Sequence, residues 1–259
     1  DIGITIIDSA DIYGNYSCEK LFGDALALKP EVRNQIQIVT KCGIRLISER
    51  FPDVTTKHYD YSYDHIVSSV EQSLKNFRTD RIDLLLLHRP SPLLNPEEVA
   101  TAFNHLKSTG KVLHFGVSNF LPHQTELLQS FLNIPLEVNQ IEVSPLQLEH
   151  LHNGNLDYLM QKRIIPMAWS PLGGGSILNP KSETEKRIAK TIHKISEETN
   201  LLPEQVAISW LVTHPAGIIP VVGSGKFERI KNAFLALKTK LTTQQWFQVY
   251  SASIGKEVP

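Results

Sequence analysis

Seven short apolar runs rich in β-branched residues recur along the chain, at 4–8 (ITIID), 36–41 (IQIVTK), 82–88 (IDLLLLH), 112–119 (VLHFGVSN), 136–140 (LEVNQ), 164–170 (IIPMAWS) and 218–224 (IIPVVGS). They are continuous rather than alternating, the pattern expected of parallel strands covered by helices. The segments between them have a helical period. In 61–77, Ile66, Val70, Leu74 and Phe77 form one apolar stripe. In 95–110, Asn95 is placed to cap, Pro96 to take the first helical position, Glu97 and Glu98 to complement the dipole, and Gly110 to end the helix, with Val99, Phe103 and Leu106 facing inward. Ser182 and Glu185 have capping-box spacing ahead of Ile188, Ile192 and Ile195, and Pro203 opens a further helix through Trp210 and Leu211.

Strand and helix alternating in this way argue for parallel βαβ units. A doubly wound dinucleotide-binding sheet would show GxGxxG after its first strand, and no such string occurs. A (β/α)8 TIM barrel, in the α/β class, needs no such loop and places its function at the carboxyl ends of the strands. There this sequence concentrates Asp8, Lys41, His88, Ser118, Asn119, Gln140 and Ser170. The expectation is one barrel domain over 1–259, with its first strand and helix lying before Asp1.

Composition narrows the function. The 259 residues carry 26 Lys+Arg against 27 Asp+Glu, a formal charge of −1, with no basic block. Nucleic acid and anionic membrane surfaces are therefore disfavoured as partners, and the longest apolar run, LLLL at 84–87, is far too short to span a bilayer. Two cysteines, Cys18 and Cys42, lack CxxC spacing. A disulfide framework and a structural zinc are disfavoured, and a reducing, cytoplasmic compartment fits. Asn15-Tyr16-Ser17 matches the N-glycosylation pattern, but nothing else points to secretion. No strand ends in HxH and no HExxH occurs, so no metal is expected, and His105, His114, His123, His150, His152, His193 and His214 read as surface or loop residues. GSGK at 223–226 is no P-loop, because Phe227 follows the lysine and Pro220 occupies the first glycine's place. Cys42, beside Lys41, reads as a packed thiol.

The polar residues ending the early strands make a coherent chemical set. Tyr13 follows Asp8 by five residues. A phenol is a poor acid near neutrality, but an adjacent ammonium stabilises the phenolate. Lys41 supplies the ammonium, Asp8 would orient it, and His88 would donate a hydrogen bond to a substrate oxygen. The set suits proton delivery to a carbonyl as hydride arrives.

GITIIDSADIYGNYSCEKLFGDAL, with its D-x-Y-G loop, is followed in order by IVTKCG, LLLLHRP, FGVSNF, VNQIEVSP, AWSPLGGG and IIPVVGS. This series resembles the aldo-keto reductase family from Ile4 to about residue 234, and is most similar to bacterial oxidoreductases with a GSGK stretch. The resemblance implies a (β/α)8 barrel using NADP(H), with Asp8, Tyr13, Lys41 and His88 as a catalytic tetrad and Tyr13 as the acid in carbonyl reduction. It further implies that Ser118, Asn119 and Gln140 bind the nicotinamide carboxamide and that Trp169 stacks on the ring. Ser170, Leu172 and Gly173 would approach the pyrophosphate, and Ser224, Lys226 and Arg229 would grip the 2′-phosphate of NADP. Two positions depart from the family pattern: Gly223 replaces the usual cation before Ser224, and Asn232-Ala233 stand where many members contact adenine. The implied partner is a small-molecule carbonyl, met by a monomer. The alternative is a cofactor-bound redox sensor or ancillary subunit with little turnover, which has less need for Tyr13 and His88.

Overall fold

The computed structural model describes residues 2–259. All seven expected strands form: β1 (Ile6–Asp8), β2 (Gln37–Cys42), β3 (Ile82–Leu87), β4 (Val112–Ser118), β5 (Leu136–Glu142), β6 (Ile165–Trp169) and β7 (Ile219–Pro220). The chain divides within β5 into two compact halves, Gly3–Asn139 and Gln140–Pro259.

In the first half the strands follow chain order, and β1 to β4 pair in parallel. Asp8 pairs with Val39, and two residues on Lys41 pairs with Leu86. Leu86 in turn pairs with Gly116, and His88 and Ser118 lie two residues beyond that pair. Because side chains alternate with a period of two, this register puts Asp8, Lys41, His88 and Ser118 on one face of the sheet. Helices α1 (Cys18–Leu26), α2 (Tyr63–Phe77), α3 (Pro96–Ser108) and α4 (Pro122–Phe131) accompany the strands. The stripe read from the sequence is the buried one, with Ile66, Val70 and Phe77 fully enclosed, and Val99, Phe103 and Leu106 equally so. Asn95 caps α3 by accepting the Glu97 N–H at 3.1 Å, with Pro96 at the first helical position. A short antiparallel pair, Ile44–Arg45 with His58–Tyr59, closes an excursion after β2 that no periodicity announced.

In the second half β6 and β7 are parallel, Met167 opposite Ile219. Around them run α5 (Asn155–Lys162), α6 (Glu183–Thr199), α7 (Pro203–Thr213), α8 (Phe227–Ala236) and α9 (Thr243–Ile254). The capping box is present: Ser182 accepts from Glu185 N–H at 3.2 Å, and the Glu185 carboxylate accepts from Ser182 N–H at 2.8 Å. Ile188, Ile192 and Ile195 pack beneath it. His150 departs from its expected surface place. It lies buried in a single helical turn, Glu149–His152, with its Nδ1 3.0 Å from Asn155 Nδ2, and burial pushes its pKa down.

Candidate active site

Asp8, Lys41 and His88 converge as the strand register requires, and the loop after β1 brings Tyr13 to them. Lys41 is 1% exposed, and its Nζ donates to Asp8 Oδ2 at 2.8 Å and to the Ser9 carbonyl at 2.8 Å. A third donor direction reaches Tyr13 Oη at 3.4 Å, with the ammonium 5.0 Å from the centre of the phenol ring. A buried lysine is tolerable only with such partners. The same bonds fix its proton-bearing head against the phenol.

His88 stands edge-on to Tyr13, ring centres 5.9 Å apart at 75°. Its backbone N–H is held by the Cys42 carbonyl at 3.0 Å. The next residue is pinned by Tyr61, whose hydroxyl donates to the Arg89 carbonyl at 2.6 Å and accepts the Arg89 N–H at 3.0 Å. Burial pushes the His88 pKa down to about 3, helped by the charges of Lys41, Arg89 and Lys57. The imidazole is therefore neutral at physiological pH, with one N–H to give, and among the described residues its buried Nδ1 has no partner.

One residue that sequence reasoning passed over belongs here. Asp11 lies between Asp8 and Tyr13, its backbone N–H bonded to the Lys41 carbonyl at 3.0 Å and its buried Oδ1, among the described residues, without a partner. Burial, and then the charge of Glu19, push its pKa up to about 8. Glu19 itself is enclosed and accepts from Thr40 at 2.7 Å, Ser73 at 2.8 Å and Asn76 at 3.0 Å. The available signal was the D-x-Y-G loop, whose first residue is Asp11, two before Tyr13 and three after Asp8. Cys42 is buried as expected, and burial raises its thiol far above the usual range.

The remaining expected residues fall in local groups. Ser118 ends β4 in a buried position, and Asn119, at φ 61°, donates through Nδ2 to Ser118 Oγ at 2.7 Å. Gln140 is buried in β5. In the second half, Trp169 ends β6 and Ser170 turns the chain at φ 51°, where its carbonyl accepts the Gly173 N–H at 2.8 Å. Leu172 packs on the apolar core. Gly173 is at φ 57°, and a Cβ there would stand 2.5 Å from Leu146 Cδ1. Ser224 Oγ accepts the Lys226 N–H at 3.1 Å just ahead of α8, and Arg229 lies in that helix's first turn. Lys226 and Arg229 are exposed and, among the described residues, make no ion pair. Asn232 is bonded to α7, donating to Glu204 at 3.3 Å and accepting from Gln205 at 3.2 Å. No three His, Cys, Asp or Glu side chains among the described residues are grouped to hold a metal.

A lysine held between a carboxylate and a phenol, with a neutral imidazole beside them at strand ends, can pass a proton to an oxygen and stabilise the charge left behind. The arrangement is that of a carbonyl-reducing oxidoreductase on parallel α/β architecture. The chain belongs to the aldo/keto reductase family, which it matches over residues 1–254. It is 51% identical over 260 residues to an uncharacterised oxidoreductase of Bacillus subtilis, YcsN, covering 100% of this chain and 87% of that protein. It is 46% identical over 256 residues to a 6-dehydroglucose reductase of Agrobacterium fabrum, covering 99% and 85% respectively. Among solved structures it is similar to the thermostable aldo-keto reductase Tm1743 in complex with the inhibitor epalrestat, with a TM-score of 0.83, 25% identity, and 97% of this chain and 83% of that one covered. The expected (β/α)8 fold is thereby shown. No helix among the described residues is long and apolar enough to cross a membrane.

Proposed function

We propose that this oxidoreductase reduces an aldehyde or ketone to the alcohol with NADPH, Tyr13 delivering the proton. The observation that carries the reading is the Lys41 ammonium bonded at once to Asp8 and Tyr13, beside a neutral His88.

The residues fit a phosphorylated dinucleotide. Lys226 and Arg229 offer two cations that make no ion pair among the described residues, at the start of a ten-residue helix, where backbone N–H groups also favour an anion. The turn at Gly173 has a left-handed φ of 57° that glycine adopts without cost, which favours a tight backbone turn there. Ser118, Asn119 and Gln140 would hold the nicotinamide carboxamide, Trp169 its ring, Ser170, Leu172 and Gly173 the pyrophosphate, and Ser224, Lys226 and Arg229 the 2′-phosphate. When bound, the nicotinamide supplies the hydride.

The chain's own residues do the rest. His88, neutral and with an N–H to give, orients the carbonyl oxygen and polarises it. Tyr13 donates its proton to that oxygen as negative charge develops there. The Lys41 ammonium stabilises the phenolate this creates, and Asp8 keeps Lys41 charged and aimed. In alcohol oxidation the same phenolate removes the proton. Two free thiols fit a reducing, cytoplasmic setting, and a monomer suffices because the four reacting side chains lie in one half of the chain.

The test is NADPH absorbance in the presence of the protein, with a reactive aromatic aldehyde and with 6-dehydroglucose, the polyhydroxylated aldehyde suggested by the relatives' names. The reading expects aldehyde-dependent loss of NADPH, faster than of NADH. Bound NADPH with no turnover across a carbonyl panel would replace it with the sensor reading.

A further inference from the structure

The turn that carries Tyr13 is strained, and its restraint comes from another element. Three successive residues after Tyr13 have positive φ: Gly14 at 58°, Asn15 at 51° and Tyr16 at 68°. Glycine meets the requirement at the first position, where a Cβ would lie 2.6 Å from Cys18 Sγ. Asn15 tolerates the left-handed region better than most residues, but for Tyr16 it is unfavourable. Strain of this kind persists only where surrounding contacts over-determine the geometry. Local bonds contribute: Ser17 N–H to the Tyr13 carbonyl at 3.1 Å and Ser17 Oγ to the Gly14 carbonyl at 2.6 Å.

The other contacts come from the excursion after β2, and they meet on one residue, Tyr16, at its side chain and its carbonyl. Tyr16 Oη accepts the Leu46 N–H at 2.9 Å, and the Tyr16 carbonyl accepts from Arg50 Nη1 at 3.1 Å. The Tyr16 ring stands edge-on to Phe51, centres 4.9 Å apart at 75°, while Arg45 and Arg50 lie 4.9 and 5.7 Å from the Phe51 ring centre. The excursion is itself a compact unit, with Phe51 N–H on the Ser48 carbonyl, Val54 N–H on the Phe51 carbonyl, and Asp60 N–H closing its base on the Gly43 carbonyl at 2.9 Å. Its first residues follow directly from Lys41. Tyr16 thus ties the turn holding the phenol to the segment continuous with the lysine on which that phenol depends.

We propose that Tyr16 is a positioning residue for Tyr13: by binding the excursion at Leu46, Arg50 and Phe51 it sets the contact between Tyr13 Oη and Lys41 Nζ. This rests on the reading of Tyr13 as the proton donor. The role concerns proton delivery and is distinct from a general contribution to stability. Tyr16→Phe removes one hydroxyl and keeps the ring on Phe51. Arg50→Ala removes an exposed side chain and its bond to the Tyr16 carbonyl.

The experiment measures the single-turnover rate of aldehyde reduction by bound NADPH, with NADPH Kd and melting temperature, in the wild-type protein and in Tyr16→Phe, Arg50→Ala and Tyr16→Ala. Each is then repeated in a Tyr13→Phe background. The rate should fall roughly ten-fold in Tyr16→Phe, less in Arg50→Ala and more in Tyr16→Ala, since a lost hydrogen bond and a misplaced reacting group each cost about that order or above. Kd should not move, and Tyr16→Phe should melt no more than a few degrees below the wild type, the loss expected for one hydrogen bond. In the Tyr13→Phe background the same changes should leave the residual rate untouched, because a residue acting through Tyr13 has nothing left to position. A wild-type rate in Tyr16→Phe, or an equal fold-loss in both backgrounds, overturns the proposal. A Tyr13→Phe protein as fast as wild type is a different result: it removes the acid assignment, and the positioning role with it.

Discussion

Trp210 and Trp246, in the second half, stack with centres 5.0 Å apart at 11°, and each indole N–H donates to the other residue's carbonyl, at 3.1 and 3.0 Å. Tyr250 extends the stack over Trp246 at 5.5 Å. Around Lys41, in the first half, polar groups are also enclosed, yet among the described residues Asp11 Oδ1 and His88 Nδ1 are left without partners. The two regions use buried polarity for different ends. In the tryptophan pair every buried donor is answered by a carbonyl, so polarity adds register to an apolar contact. Near Tyr13 the burial perturbs titration: the Asp11 carboxyl is held neutral and the His88 imidazole uncharged. Unsatisfied polar atoms cost stability wherever they occur, and their place beside a buried ammonium and a phenol is where chemistry can use them.

The largest effect on stability is expected from Lys41→Met, which removes the ammonium partner of Asp8 in a pair whose lysine is 1% exposed. Breaking such a pair from one side costs about 3–5 kcal/mol. The urea midpoint should fall accordingly, and turnover should be lost as well. A midpoint equal to wild type would mean that the pair is not the anchor described here.

Asp11→Asn is next, and its sign depends on pH. The folded carboxyl takes its proton at about 8 rather than at 3.8, so the native state binds the extra proton between these values. The wild type therefore loses stability as pH rises through that window, while asparagine is neutral throughout. The melting temperature of Asp11→Asn minus that of wild type should climb from pH 4 to pH 8. His88 acts oppositely: its folded pKa near 3 lies below the usual 6.5, so its contribution is complete above 6.5 and declines as pH falls toward 3. Because both proteins retain His88, the difference curve isolates Asp11. A flat difference would contradict the burial ascribed to it.

Trp246→Phe should cost about 1–2 kcal/mol by urea titration, the net worth of a buried hydrogen bond and the packing around it. Turnover per folded molecule should be unchanged, in contrast to Lys41→Met. The smallest change is expected from Ser182→Ala, which removes the α6 capping side chain at a cost of about 0.5–2 kcal/mol, towards the low end because the site is exposed. A kinetic defect in either variant would erase the contrast between the two regions.

How far the sequence revealed these regions follows from the physics of each signal. Strands buried on both faces leave continuous apolar runs, and six of the seven were legible to within two residues at either end; the seventh run, 218–224, forms a strand only at Ile219–Pro220, four residues short of its expected end. Caps were legible because Asn95 and the Ser182–Glu185 pair bond within one turn of their own position. The excursion after β2 was not, because two-residue strands such as Ile44–Arg45 and His58–Tyr59 have no period to read. Tyr16 was visible only as the middle of a glycosylation pattern, since its partners lie 30 and 34 residues away. His150 was misplaced because a single helical turn leaves too little pattern to show which side faces inward. That Asp8, Tyr13, Lys41 and His88 come together was legible because each sits at, or one loop beyond, a strand end, where a barrel concentrates its chemistry; that they react is the proposal made above.

In the function proposed above, the enclosed polarity around Lys41 serves proton donation by Tyr13. The most direct measurement is the single-turnover rate of aldehyde reduction in Tyr13→Phe against wild type, at matched NADPH saturation. The account predicts a fall of about 10² to 10⁴-fold with NADPH Kd and melting temperature unchanged. Reduction at the wild-type rate in that variant would contradict it.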